Sequence, residues 1–287
     1  MKEKINLGLP FTKFLAPAKL NLFLRIKNKR LDGYHNLQSV FQFINLYDEI
    51  SIRVRGDDKI NFKNSNPLIS IENDIAYKAC VLLLDKMCIG VDVDIKKNIP
   101  VGSGLGGGSS DAATILMAIN KVCHLGLSKE KLMQLGLKLG ADVPFFIFGE
   151  NAWVEGIGDE LHPISIPEFH YTVAVPNISI PTSSIFASFK LTNNANPLKI
   201  ASSFDSKKHE FIDNDLESLV INKFLIMSEL MDWMRNFGYA KMSGTGSSIF
   251  LRPKSTFQSQ EIERLKPKNT EIYAVKGLSV HPFYLTD

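Results

Sequence analysis

The chain is poor in cysteine, in excess charge of either sign and in long apolar runs, and each shortage narrows what it can be. Its 287 residues include three cysteines, Cys80, Cys88 and Cys123. They have no metal-ligand spacing, so no resident metal is expected and a reduced, cytoplasmic chain is. Lys and Arg number 33 against 30 Asp and Glu, a net charge of +3. That is too slight for a nucleic-acid partner, whose readers carry a concentrated basic stripe. No apolar run approaches the length of a bilayer crossing, so no membrane partner is expected. Met1 to Pro10 is charged and lacks the apolar core of a signal peptide, and it reads as a short N-terminal extension. The length allows one large or two medium domains.

Glycine, by contrast, is concentrated. Pro100 to Asp111 reads Pro-Val-Gly-Ser-Gly-Leu-Gly-Gly-Gly-Ser-Ser-Asp and holds five of the chain's nineteen glycines. Upstream, Val91 to Ile95 alternates apolar and polar like a half-buried strand. Downstream, Ala112, Ile115, Leu116 and Ile119 recur at helical spacing, predicting a helix from Asp111 to about Cys123 with Ser109 or Ser110 as its cap. Strand, glycine loop and helix start form an anion cradle, because bare backbone approaches a phosphate closely and the helix's free N–H groups point at it. Gly102, Gly104 and Gly107 satisfy G-x-G-x-x-G, but Asn120 to Leu127 lacks the acidic residue that a dinucleotide site needs. No Lys follows the last glycine, so the P-loop pattern fails as well. The His-Arg-Asp and Asp-Phe-Gly triplets of protein kinases are also missing. The loop fits a nucleotide-phosphate site of another class.

Several other stretches each admit two readings. Lys19 and Asn21 share one face of an alternating strand, opposite Leu20, Leu22, Leu24 and Ile26. That face is either solvated or aims Lys19 at a phosphate with Asn21 beside it. Asp32-Gly33-Tyr34-His35 supports a hairpin turn, or presents a ring and an imidazole to a flat ligand. Gln38–Phe43 and Glu49–Arg55 read as two strands, and Asp74–Met87 as a helix. Lys129–Leu139 reads as a helix closed by Gly140. Asp142, at the mouth of Val-Pro-Phe-Phe-Ile-Phe, is either a helix cap or a general base. Three prolines between Leu161 and Phe169 suggest a domain boundary, dividing the chain into 1–165 and 166–287. Leu191–His209 is the best surface-loop candidate, and Ser243–Ser247 is a hairpin or a second nest of N–H groups.

In this order, Lys19 with Asn21, the glycine loop, Asp142 and the Ser243 loop resemble the GHMP superfamily of small-molecule kinases. Pro17–Leu24, Asp32–His35, Gly140–Phe146 and Ser179–Thr182 look like the member whose acceptor alcohol carries a cytidine diphosphate. The resemblance runs from about Pro17 to His281 and does not place Leu191–His209. It implies an α+β fold of two domains, ribosomal-S5-like then ferredoxin-like, with the active site in the cleft between them. It implies transfer of the γ-phosphoryl group from ATP with Mg²⁺ to the acceptor's hydroxyl, in non-mevalonate isoprenoid precursor biosynthesis, by a monomer. By the same resemblance, Asp142 is the general base and Lys19 its electrostatic partner, with Asn21 touching the substrate. Pro100, Val101, Gly102, Ser103, Gly104, Leu105, Gly106, Gly107, Gly108, Ser109 and Ser110 would hold ATP, with Lys96 and Asn73–Asp74 close to its adenine. Tyr34 and Phe186 would sandwich the cytosine while His35 bonds its edge. Thr182 would lie near the ribose or diphosphate, and Gly244, Thr245 and Gly246 would complete the substrate side. A homoserine, mevalonate or sugar kinase of the same superfamily is the alternative. An RNA-binding protein sharing the S5-like half is a more distant one.

Overall fold

The computed structural model describes residues 10–67, 69–85, 87, 89–189 and 213–285. The Leu191–His209 stretch, Cys88 and the first nine residues lie outside them. Two long strands form the spine. β1 (Thr12–Lys29) pairs antiparallel with β2 (His35–Arg55), around the Asp32-Gly33 turn. The turn closes where Arg30 N–H donates to the Tyr34 carbonyl at 2.7 Å, with Gly33 at φ +89°. β2 is one strand where two were expected. The Asn45–Tyr47 stretch does not end it, because the register slips between Pro17 and Ala18 and absorbs the extra residues as a bulge. Pro17 stands at this irregularity, where its missing N–H costs no regular ladder bond.

β4 (Gly90–Lys96) pairs antiparallel with β2, and β3 (Ile60–Asn64) runs parallel to β4. β5 (Ala152–Glu155) joins β2 and β6 (Glu160–Pro163). The C-terminal strands β7 (His170–Pro176), β8 (Lys241–Met242), β9 (Ile249–Leu251) and β10 (Thr270–Leu278) make a second antiparallel group. β10 lies along β7 and then reaches β2 at Gly277 and Leu278, so the sheet is continuous through both halves.

Helices α1 (Ile75–Leu84), α2 (Gly107–Val122), α3 (Lys129–Leu137) and α4 (Val143–Phe148) belong to the first half. Leu24, Ile26 and Phe43 of the sheet, Ile115 of α2 and Phe145 of α4 share one apolar core. Leu20 and Leu22 enter a second core with Trp153, Tyr171 and Phe250. Both faces of β1 are therefore covered, and whatever polar residue it carries inward must be partnered. Helix α5 (Thr182–Ser188) follows Pro181, as the proline implied. Among the described residues, no helix is long and apolar enough to cross a membrane.

Candidate active site

The glycine loop folds as a cradle built on α2. The helix starts at Gly107, four residues before the expected Asp111, with Gly106 at its N-cap in the left-handed conformation, φ +75°. Neither Ser109 nor Ser110 caps it. Ser110 is fully buried and its hydroxyl donates to the Pro17 carbonyl at 2.6 Å, tying the first turn to β1. The N–H groups of Gly107, Gly108 and Ser109 have no partner within the helix, and these residues line a cavity of about 930 Å³. Four of the loop's five glycines, all but Gly108, cannot be replaced without movement of a neighbour. A Cβ on Gly104, at φ +79°, would stand 2.5 Å from the Ser243 carbonyl oxygen, and one on Gly106 would stand 2.9 Å from the Phe146 ring. The loop is thus clasped by the Ser243–Ser247 turn from the other half. Ser248 N–H donates to the Ser103 carbonyl at 2.9 Å, and the Ser243 hydroxyl to that of Gly104 at 3.3 Å.

Lys19 and Asn21 leave β1 on the same face, toward this cradle. Lys19 is 4% exposed, and its backbone N–H donates to the Leu105 carbonyl at 2.9 Å, so strand and loop are fastened together. Its ammonium donates to Asn21 Oδ1, lies 3.5 Å from Asp142 Oδ2, and stands 4.6 Å from the centre of the Phe41 ring. Asn21 is held in turn, its amide donating to Ser39 Oγ at 3.2 Å. The face expected as either solvated or functional is buried and converges on one carboxylate. Asp142 occupies the N-cap position of α4 but makes no cap hydrogen bond there, and its side chain is 35% exposed to the cavity. The capping reading therefore fails, and the carboxylate faces the cleft beside a buried cation.

The far wall is aromatic and hydroxylic. Tyr34 is exposed and His35 is buried, and both line the cavity. Burial, with some help from Lys29, holds the His35 imidazole below its ordinary pKa. The Phe186 ring stacks on His35, centroids 5.5 Å apart and 29° from parallel, so it faces the imidazole as well as the open cavity. Thr182 and Thr245 hydroxyls, both from the C-terminal half, meet at 3.0 Å and line the same cavity with Gly244.

Five expected residues fall outside the lining, among them Asn73, whose amide donates to Ser70 Oγ at 2.9 Å instead. Lys96 points away and pairs with Glu49 on the surface, because β4 alternation turns it outward. Leu105 is core, Ser110 is spent on Pro17, and Gly246 packs toward Met242 and Ile180. Pro100, Val101, Gly102, Ser103, Gly104, Gly106, Gly107, Gly108 and Ser109 do line it, as does Asp74, which also caps α1. Sequence reasoning missed the neighbour of Lys96. Lys97 lines the cavity, and its ammonium is held between Asp48 and Asp111, both buried. Burial drives the Asp111 carboxyl well above the usual carboxylate range, with Lys97 pulling it only partly back. Its second oxygen, Oδ1, is buried without a hydrogen-bond partner. Burial opposes the charge of Lys97, but the two carboxylates outweigh it and raise its pKa.

A backbone-lined glycine cradle, a buried lysine beside a partly exposed carboxylate, and an aromatic wall meet in one cleft. Residues 74–150 match the model of the GHMP kinases N-terminal domain. The solved structure of mevalonate kinase superposes at a TM-score of 0.65 over 93% of this chain and 99% of that one, at 15% identity, which is a likeness of fold alone. The chain has the two-domain α+β fold of a GHMP-type, ATP-dependent small-molecule kinase. The crystal structure of a 4-(cytidine 5'-diphospho)-2C-methyl-D-erythritol kinase superposes more tightly, at a TM-score of 0.82 and 28% identity over 93% of this chain and 99% of that one. The 4-diphosphocytidyl-2-C-methyl-D-erythritol kinase of Herminiimonas arsenicoxydans is 41% identical over 93% of this chain and 95% of its own length. The protein belongs to the 4-diphosphocytidyl-2-C-methyl-D-erythritol kinase family.

Proposed function

We propose that the cleft transfers the γ-phosphoryl group of ATP to the 2-hydroxyl of 4-diphosphocytidyl-2-C-methyl-D-erythritol, in non-mevalonate isoprenoid precursor biosynthesis. The observation that carries this is the Lys19–Asp142 pair, 3.5 Å apart, in the cavity that the α2 N-terminus and the Tyr34–His35–Phe186 wall share. Phosphoryl transfer asks mainly for alignment and for neutralisation of oxygen charge. The N–H groups of Gly107, Gly108 and Ser109 meet the β- and γ-phosphates, and the helix dipole stands behind them. Asp142 takes the acceptor hydroxyl's proton, since the hydroxyl is a poor nucleophile until that proton has somewhere to go. Lys19 then faces the growing alkoxide, and Asn21 fixes the direction of its ammonium.

The residues present fit a magnesium ion that arrives with the nucleotide. Mg²⁺ keeps several waters and would take its other oxygens chiefly from the substrate phosphates, with the Ser109 hydroxyl in the cleft lining able to add one, which leaves Asp142 free as the base. When bound, the ion would supply neutralisation of phosphate charge. Tyr34 and Phe186 take the cytosine between them with His35 at its edge, a stack contributing about 1–3 kcal/mol per base. Homoserine, mevalonate or a sugar has no planar base for this wall, and that favours the cytidine-linked acceptor. Thr182 and Thr245 lie where a diphosphate or ribose hydroxyl would pass. The buried thiols of Cys80 and Cys123 suit a reducing cytoplasm. A domain boundary at 165/166, in the connection between β6 and β7, is part of the same proposal.

Coupled ADP release from ATP and Mg²⁺ tests the reading, using the cytidine-linked methylerythritol against free methylerythritol, mevalonate and homoserine. Turnover confined to the cytidine-linked compound is expected. Turnover with another of these alcohols would discard the cytosine wall and keep the Asp142 chemistry.

A further inference from the structure

The buried cluster around Lys97 is not used by this mechanism. Lys97 follows β4 and is 7% exposed, and its ammonium hydrogen-bonds both Asp48 of β2, 0% exposed, and Asp111 of α2, 2% exposed. Asp48 does more than pair. Its Oδ1 accepts the backbone N–H groups of Asn98 at 2.6 Å and Ile99 at 2.8 Å, the two residues before Pro100. Ile99 packs directly on the cradle, since a Cβ on Gly107 would lie 2.9 Å from Ile99 Cγ2. Asp111 is the first residue after Ser110. One ammonium therefore fastens both ends of the Pro100–Ser110 loop, the entry through Asp48 and the exit through Asp111.

Resting on the kinase reading above, we propose that Lys97 is a positioning residue for ATP, an ionic staple that holds the glycine loop in its phosphate-binding shape. The loop needs one. Five glycines give it more conformational freedom to lose than any other stretch of this length in the chain. Tying its ends shortens the search, and an ordered cradle binds more tightly than one that must be ordered by its ligand. Direct contact between Lys97 and phosphate is the competing role, and the charge count opposes it. Two carboxylates flank the one ammonium, so the cluster offers no net positive charge to an anion, whichever way a proton sits on Asp111.

The two roles predict opposite signs for one variant. Asp111→Leu removes the exit anchor and leaves a neutral Lys97–Asp48 pair. A staple then weakens binding, whereas a phosphate-contacting lysine freed of one carboxylate would tighten it. Binding of Mg·AMP-PNP is measured by calorimetry for wild type, Lys97→Met, Lys97→Arg and Asp111→Leu, beside melting curves and KM for the cytidine-linked substrate. We expect a Kd for Mg·AMP-PNP raised roughly tenfold to hundredfold in Lys97→Met, the scale of a cradle misplaced by about an ångström. Asp111→Leu should weaken binding in the same direction, Lys97→Arg should recover most of the loss, and KM for the cytidine-linked substrate should stay put. A folded Lys97→Met protein with wild-type Kd, or tighter binding by Asp111→Leu, would overturn the staple while wild-type turnover leaves the kinase reading standing. If Lys97→Met does not fold, the sign for Asp111→Leu decides alone. Failure of the wild type itself to bind Mg·AMP-PNP would remove both proposals together.

Discussion

Replacing Asp142 by asparagine isolates the proposed base from everything else in the cleft. The side chain keeps its size and its place at the start of α4, where it makes no cap hydrogen bond that could be lost. Its ion pair with Lys19 disappears, but Lys19 keeps Asn21 and the Phe41 ring, and Asp142 is a third exposed, so the fold should lose no more than about 1 kcal/mol. Loss of a positioned general base lowers a rate by about 10²–10⁴-fold, which is roughly 2.7–5.4 kcal/mol on the barrier at 1.36 kcal/mol per decade. The cradle N–H groups lie on α2 and are untouched, so nucleotide affinity should persist. The assay is steady-state ADP release with saturating ATP, paired with calorimetric binding of Mg·AMP-PNP and a melting curve. A variant that binds the nucleotide, melts like the wild type and turns over at a tiny fraction of its rate fits the assignment. Turnover within a few-fold of wild type would refute it, and Asp142 would then be no more than the counter-ion of Lys19.

Other perturbations probe other walls of the cleft. Tyr34→Ala should raise KM for the cytidine-linked substrate about tenfold or more, the worth of one base stack, and leave KM for ATP alone; an effect on ATP only would exclude the stacking role. Gly104→Ala forces a Cβ to 2.5 Å from the Ser243 carbonyl at φ +79°, so thermal unfolding should show a loss of about 1–3 kcal/mol along with weaker Mg·AMP-PNP binding. Burial lowers the His281 imidazole to about 3 from 6.5, so the unfolded chain takes up the proton first as pH falls. Stability is then full above pH 6.5 and declines by up to about 1.4 kcal/mol per unit down toward pH 3. His281→Gln should flatten that slope in melting curves taken between pH 7 and 4, and an unchanged slope would assign the acid sensitivity elsewhere.

What could be read in advance was whatever short-range periodicity or composition records. Alternation along β1 put Lys19 and Asn21 on one face, and the density of glycine before an amphipathic pattern marked the cradle. Asp142 stood out as a lone carboxylate before an apolar run. Position along the chain says little about burial, and this is where the reading went astray. Lys96 and Lys97 are identical neighbours, and only the end of β4 decides that the first pairs with Glu49 in solvent while the second turns inward. The partners of Lys97 lie 49 and 14 residues away, across a pairing that local pattern does not record. Weak helix formers at Gly107 and Gly108 hid the true start of α2. The bulge opposite Pro17 let β2 run through the residues between the two strands that were expected.

The clasp between Gly104 and the Ser243 turn bears on how such an enzyme can be taken apart. The stretch that matches the N-terminal family domain, 74–150, contains the whole glycine loop. It contains neither Ser243, which closes over Gly104, nor Ser248, which holds Ser103. Strand β10 adds a seam of backbone pairing between Gly277–Leu278 and Phe43–Ile44. The halves are therefore less like beads on a string than like two parts of one lock. An excised N-terminal fragment would carry every signature glycine and lack the surface that gives them their shape. Complementation from separately expressed halves would have to rebuild the seam before any nucleotide could be gripped.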